Sequence, residues 1–150
     1  MTVLEPGPGM GFFTLDLARM VGPQGRVVAV DLQQRMLDRL RRRARRRGLE
    51  GRIETRLAGP GGLGIADLES SVDLCAAVHV VHEVPDTERF FAEVGRALVP
   101  GGLTVLIEPA DHVTEDELVA ALKAAEAHGF TVERQPLPGL ERSALLRARS

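Results

Sequence analysis

The stretch Glu5-Pro6-Gly7-Pro8-Gly9-Met10-Gly11 has the residue types and spacing best suited to chemistry. It lies between a short apolar run, Thr2–Glu5, and a helical pattern, Phe12–Met20. That strand–turn–helix context is what a nucleotide- or anion-holding loop requires. Glycine permits positive φ and leaves bare backbone against which a ligand can press. The start of the helix adds unpaired N–H groups and partial positive charge, which suit a carboxylate as well as a phosphate. The spacing does not fit the dinucleotide fingerprint G-x-G-x-x-G. Counted from Gly7 the third glycine falls on Phe12, and counted from Gly9 it falls on Thr14. Taken alone, the run is also compatible with a plain glycine turn.

Asp31 closes the run Val27-Val28-Ala29-Val30, about 20 residues past the loop, where such folds place an acid on a ribose. A carboxylate there accepts hydrogen bonds from both ribose hydroxyls and repels a 2′-phosphate. Asp31 also precedes a helix, so an N-cap role is compatible with it. His79, His82, Glu83, Glu108 and His112 fall at or just past the ends of two later apolar runs. In open α/β sheets that edge is where ligands bind. His82 or Glu83 is a candidate general base, since a His, whose ordinary pKa is near neutrality, can take a proton from an acceptor. The alternative use for His79 and Glu83 is to tie down loop backbone. His79, His82 and His112 match no helical or finger pattern of metal ligands, and no metal is expected.

The elements that must position these residues alternate along the chain. Strands are expected at Thr2–Glu5, Arg26–Val30, Ile53–Leu57, Val72–Val78, Leu103–Ile107, Phe130–Arg134 and Ser143–Arg147. Helices are expected at Phe12–Met20, Gln34–Arg46, Thr87–Leu98 and Thr114–His128. Gly22-Pro23, Gly48 and Gly129 are stop signals, and Thr114 with Glu117 makes a capping box. Ala58–Ile65 reads as a loop, Pro100-Gly101-Gly102 as a turn, and Pro136–Gly139 as the turn of a closing hairpin. Repeated strand–helix–strand units imply a mostly parallel sheet with helices on both faces. The 150 residues amount to one domain, 1–150.

Composition narrows the function classes. The formal charge of −2 gives no global attraction to nucleic acid or anionic lipid. A single cysteine, Cys75, rules out a disulfide framework and suits a reducing cytoplasm. No apolar run is long enough to span a bilayer, and the first residues lack the pattern of a signal peptide. With no Trp or Tyr, this chain cannot cage an acceptor between such rings. Seven arginines crowd Arg39–Arg47. The apolar stripe on the same helix makes them its solvated face, and without interleaved aromatic residues a nucleic-acid partner is not expected.

The spacing E-x-G-x-G-x-G at Glu5–Gly11 resembles the first motif of the class I S-adenosylmethionine-dependent methyltransferases. The resemblance continues through Asp31, through Ala77–Asp86 with its His-rich turn and Pro85-Asp86, and through Leu98-Val99-Pro100-Gly101-Gly102 to Glu108-Pro109. It implies a three-layer α/β/α sandwich, sheet order 3-2-1-4-5-7-6, with the final strand antiparallel. It implies that Glu5, Gly7, Gly9 and Gly11 hold the methionine end of S-adenosylmethionine, that Asp31 takes the ribose, and that Leu32 lines the adenine pocket. It places His79 against the cofactor and His79–Glu83 toward the reacting methyl. The implied activity is methyl transfer to a small-molecule acceptor. Arg56-Leu57-Ala58-Gly59 offers no acid for the adenine amino group, and the helical segment that precedes the first motif in this family is not seen. A non-catalytic binding or partner subunit is the alternative. An NAD-dependent oxidoreductase is disfavoured by the glycine spacing and by the absence of a Tyr-Lys pair.

Overall fold

A computed structural model describes residues 1–150. The chain groups into two compact units, Met1–Gly64 and Ile65–Ser150. The first contains β1 (Thr2–Pro6), α1 (Phe12–Met20), β2 (Arg26–Asp31), α2 (Gln34–Arg46) and β3 (Ile53–Leu57). The second contains β4 (Val72–Val78), α3 (Thr87–Ala97), β5 (Leu98–Ile107), α4 (Glu115–Ala127), β6 (Phe130–Arg134) and β7 (Ser143–Ala148). The strands form a seven-stranded sheet in the order β3-β2-β1-β4-β5-β7-β6. Pairing is parallel for β1–β2, β2–β3 and β4–β5, and antiparallel for β5–β7 and β6–β7. This is the strand order that the family resemblance implies.

In the first unit, Val27–Val30 are at most 1% exposed, because a parallel strand covered on both faces carries a continuous apolar run. α2 buries Leu37, Leu40 and Ala44, spaced by three and four along one helical stripe. It ends in a Schellman arrangement. Leu49 N–H bonds Ala44 C=O at 2.9 Å, Gly48 N–H bonds Arg45 C=O at 3.1 Å, and Gly48 sits at φ 67°.

In the second unit, α3 turns Phe90, Phe91, Val94 and Ala97 inward. Phe91 meets Phe130 edge-to-face at 5.7 Å between ring centroids. The Asp86 carboxylate caps α3 by accepting from Arg89 N–H at 3.0 Å. The expected capping box on α4 is complete: Glu117 N–H donates to Thr114 Oγ1 at 3.1 Å, and Thr114 N–H donates to Glu117 Oε2 at 3.0 Å. Thr114→Ala leaves the Glu117 N–H uncapped and should cost about 1 kcal/mol, read as a lower midpoint in urea, with Ser restoring it.

Two boundaries differ in an informative way. Pro100-Gly101-Gly102 does not turn the chain into a later strand. α3 stops at Ala97, and β5 already runs from Leu98 through these residues. Val72 pairs with Leu98, whereas Leu74 pairs with Leu103, so the extra residues form an irregularity within the strand. Gly101, at φ 78°, supplies the left-handed step this requires. Short 3-10 turns also occur at Glu50–Arg52, Ala66–Leu68 and Val81–Glu83. No helix is long and apolar enough to cross a membrane.

Candidate functional site

The glycine loop belongs to the first unit. β1 ends at Pro6, and Gly7 N–H bonds Val30 C=O at 2.8 Å, which ties the loop's start to β2. Gly11 N–H closes back on Pro8 C=O at 3.0 Å. Gly9 and Gly11 lie at φ 58° and 89°, a region L side chains avoid. Their surroundings differ. A Cβ on Gly9 would project into open space, and one on Gly11 would overlap Leu40 Cδ1 in the core. Gly11 is also the N-cap of α1, and no side chain caps that helix. Its first N–H groups therefore face the loop without a side-chain acceptor.

Glu5 is 3% exposed and accepts a hydrogen bond from the Thr14 hydroxyl on the first turn and a half of α1. Burial lifts its carboxyl from the ordinary 4.5 to about 7, and the Thr14 bond only partly offsets this. A buried carboxylate poised near neutrality can bind a cation when ionised. No motif in the sequence marks Thr14. The available signal was a hydroxyl on the same helical face as Leu15 and Ala18, which are buried with it.

Asp31 is half-buried at the end of β2. Its Oδ1 accepts from Gln33 N–H at 2.9 Å, forming a local turn. The N-cap of α2 is Gln33, so Asp31 is not that cap. Its second oxygen makes no hydrogen bond within the chain and could accept from a hydroxyl. Leu32, beside it, is 67% exposed. An apolar side chain held out at a strand end can provide one wall for a flat base.

In the second unit, His79 is exposed at the end of β4, with φ 55° and its N–H on Ile107 C=O at 2.7 Å. His is one of the residues that tolerate the left-handed region, which re-aims the chain into the following turn. His82 is held by Glu108, from the end of another strand. Glu108 Oε2 accepts His82 N–H at 2.9 Å and lies 3.0 Å from His82 Nδ1. Glu108 is 5% exposed, and its Oε1 has no hydrogen-bond partner. A carboxylate on Nδ1 fixes a ring orientation with Nε2 outward. Glu83 is mostly exposed, with Oε1 3.7 Å from His82 Nε2. His112 pairs with Asp111 at 3.1 Å, and no three His, Cys, Asp or Glu side chains converge as metal ligands.

A sheet of this order, with a glycine-rich loop after its first strand and an acid after its second, defines a Rossmann-like domain of the class I S-adenosylmethionine-dependent methyltransferase type. Comparison with known proteins narrows this. The chain belongs to the family described as "Methyltransferase domain", which it matches over residues 4–106.

It is 37% identical over 101 residues to an arsenite methyltransferase of Halobacterium salinarum, covering 67% of this chain and 25% of that protein. It is 31% identical over 131 residues to the ubiquinone/menaquinone biosynthesis C-methyltransferase UbiE of an Enterobacter species, covering 87% of this chain and 50% of that protein. The chain thus spans between a quarter and half of the length of these relatives. Among solved structures it resembles a SAM-dependent methyltransferase from Aquifex aeolicus, with TM-score 0.82 and 23% identity, over 99% of this chain and 81% of that one. It also resembles a geranyl diphosphate C-methyltransferase from Streptomyces coelicolor, with TM-score 0.76 and 18% identity, over 99% and 72%. These likenesses are of fold.

The cofactor of this class, S-adenosylmethionine, suits the groups present. The open space at Gly9 leaves room against the backbone, the Glu5 carboxylate suits a cation, and Asp31 suits a diol.

Proposed function

We propose that residues 1–150 act as an S-adenosylmethionine-dependent methyltransferase domain whose acceptor is a small organic molecule methylated at carbon. The observation that carries this is the glycine loop, in which Gly9 opens onto free space beside a buried acid at Glu5. In this reading Glu5, Gly7, Gly9 and Gly11 hold the methionine end. Asp31 bonds the ribose, Leu32 lines the adenine pocket, and His79 borders the cofactor. S-adenosylmethionine, when bound, supplies an electrophilic methyl on a sulfonium. Methylation at carbon also requires a proton to leave the acceptor. His82 takes it at Nε2, while Glu108 steadies the ring through Nδ1 and the backbone N–H.

The relatives' names offer carbon and arsenic as acceptors. Trivalent arsenic is thiophilic and calls for clustered thiolates. Cys75, the single cysteine, is fully buried in β4, which favours carbon. A cytoplasmic setting suits a domain with one buried, reduced cysteine.

The test is calorimetric titration with S-adenosylmethionine, with NAD in parallel, for wild type and Asp31→Ala. Two charge-assisted bonds to the ribose predict an affinity about 100-fold lower in the variant. Tight binding of NAD would overturn the reading. Labelled-methyl turnover on phenolic carbon acceptors against arsenite then tests the acceptor, and transfer to arsenite alone would reverse the choice of carbon.

A further inference from the structure

The formal charge of −2 conceals an uneven distribution. The first unit carries twelve arginines against six carboxylates, and the second carries seven basic residues against fifteen acidic ones. Eight of the twelve lie in Arg35–Arg47, where Asp38 is the single acid. At 100° per residue, the buried stripe Leu37, Leu40 and Ala44 sets Arg35, Arg39, Arg42 and Arg46 on the opposite face of α2. Arg41 and Arg45 lie on one flank and are engaged by Thr55, Asp38 and Glu50. Arg35, Arg46 and Arg47 are exposed and make no ion pair. Arg39 Nη1 reaches Met10 Sδ of the glycine loop at 3.5 Å, and on the flank toward α1 the Arg43 guanidinium lies 4.6 Å from the centroid of the Phe12 ring.

α1 presents the complementary feature. It buries Thr14, Leu15 and Ala18, and turns Phe12, Phe13 and Met20 outward at 61%, 56% and 81% exposure. Asp16, the acid on that arc, is neutralised by Arg19 at 2.7 Å. Three large apolar side chains thus stand beside a dense cationic face, joined through Arg43 and Phe12. Polyanions such as nucleic acid would use the arginines and leave Phe13 and Met20 without a role. A bilayer surface uses both, with guanidinium groups on anionic headgroups and apolar side chains at the acyl boundary.

We infer that the α1–α2 face of the first unit docks on the surface of an anionic lipid bilayer. The inference is independent of the methyl-transfer reading, because it rests on different residues and needs neither cofactor nor acceptor.

Vesicle co-sedimentation tests it, using phosphatidylglycerol:phosphatidylcholine (1:1) vesicles against phosphatidylcholine alone. The protein should bind the anionic vesicles at low salt, release at high salt, and ignore the neutral ones. Arg35→Gln/Arg42→Gln/Arg46→Gln should lower partitioning about 100-fold, from roughly fivefold per surface arginine. Phe12→Ser/Phe13→Ser/Met20→Ser should lower it by about tenfold or more, since lost apolar burial weakens interfacial binding. Thermal melts of both variants establish that the fold is kept. Absence of binding to anionic vesicles overturns the proposal, and so does equal binding to neutral ones. Binding that the serine variant retains in full, together with tight capture of duplex RNA, would make the face a polyanion site and also overturn it.

Discussion

Gly11→Ala should strongly destabilise the first unit's core, whereas Gly9→Ala should leave the fold nearly intact and abolish tight cofactor binding. At Gly11 two costs combine. A left-handed φ of 89° penalises any L side chain by about 1–2 kcal/mol. The new Cβ would also overlap Leu40 Cδ1, and Leu40 is fully buried on α2, so its side chain has nowhere to retreat. Overpacking of that kind adds about 1–3 kcal/mol. A total of about 3 kcal/mol or more is a large share of a small domain's stability. Urea unfolding measures it, and the Leu40→Ala background checks the cause. With the overlap removed, Gly11→Ala should cost only its backbone share, so the double variant is less destabilised than the sum of the singles. At Gly9 the left-handed penalty remains, but nothing lies within reach of the new Cβ. On the proposed reading of the loop, the methyl instead occupies space that the bound methionine moiety would need. Calorimetry should therefore show cofactor affinity reduced about 100-fold or more at a stability loss of about 1 kcal/mol. Wild-type affinity in Gly9→Ala would remove the loop from the cofactor site.

This contrast marks where the sequence was informative and where it was not. The loop's existence and its place between strand and helix were legible, because glycine spacing and the switch from an apolar run to helical periodicity are local signals. Which glycine faces the core and which faces open space was not, because Leu40 lies on another helix, 29 residues away. The same division runs through the rest of the chain. Val27–Val30, the Thr114 capping box and the Gly48 stop were all readable from neighbours in sequence. Pro100-Gly101-Gly102 looked like a turn because its residues favour turns, but pairing of Leu98 with Val72 drew it into β5. His82 and Glu108 were each placed at the sheet edge by position. Their mutual bonds join the ends of two different strands, which no periodicity connects. Asp31 looked able to cap α2, but its turn with Gln33 moved the cap two residues on.

Glu5 offers the most telling titration. Its carboxyl is lifted from 4.5 to about 7 by burial, with the Thr14 hydroxyl pulling the other way. Between these values the folded protein holds a proton that the unfolded chain has lost, so stability falls as pH rises from about 4.5 to about 7 and levels off above. At about 1.4 kcal/mol per unit the loss is roughly 3 kcal/mol, the cost of ionising a carboxyl that is 3% exposed. Glu5→Gln keeps an oxygen for Thr14 and cannot ionise, so its stability should be flat across that window. Above pH 7 it should exceed wild type by about 2 kcal/mol, after allowing about 1 kcal/mol for an amide N–H left without a partner. Cofactor binding should move the opposite way. The ammonium and sulfonium of S-adenosylmethionine favour the carboxylate, so wild-type affinity should rise with pH up to about 7 and then flatten. The Gln variant should lack this rise. The two affinities should converge near pH 5 and differ about 100-fold at pH 8, and taking their ratio cancels the ligand's own titration. A ratio constant from pH 5 to 8 would separate Glu5 from the cofactor, even if the stability curves cross as expected. Convergence at low pH together with the stability gain at high pH would show one buried acid, costly to the fold, that is retained because its charge is needed by what binds.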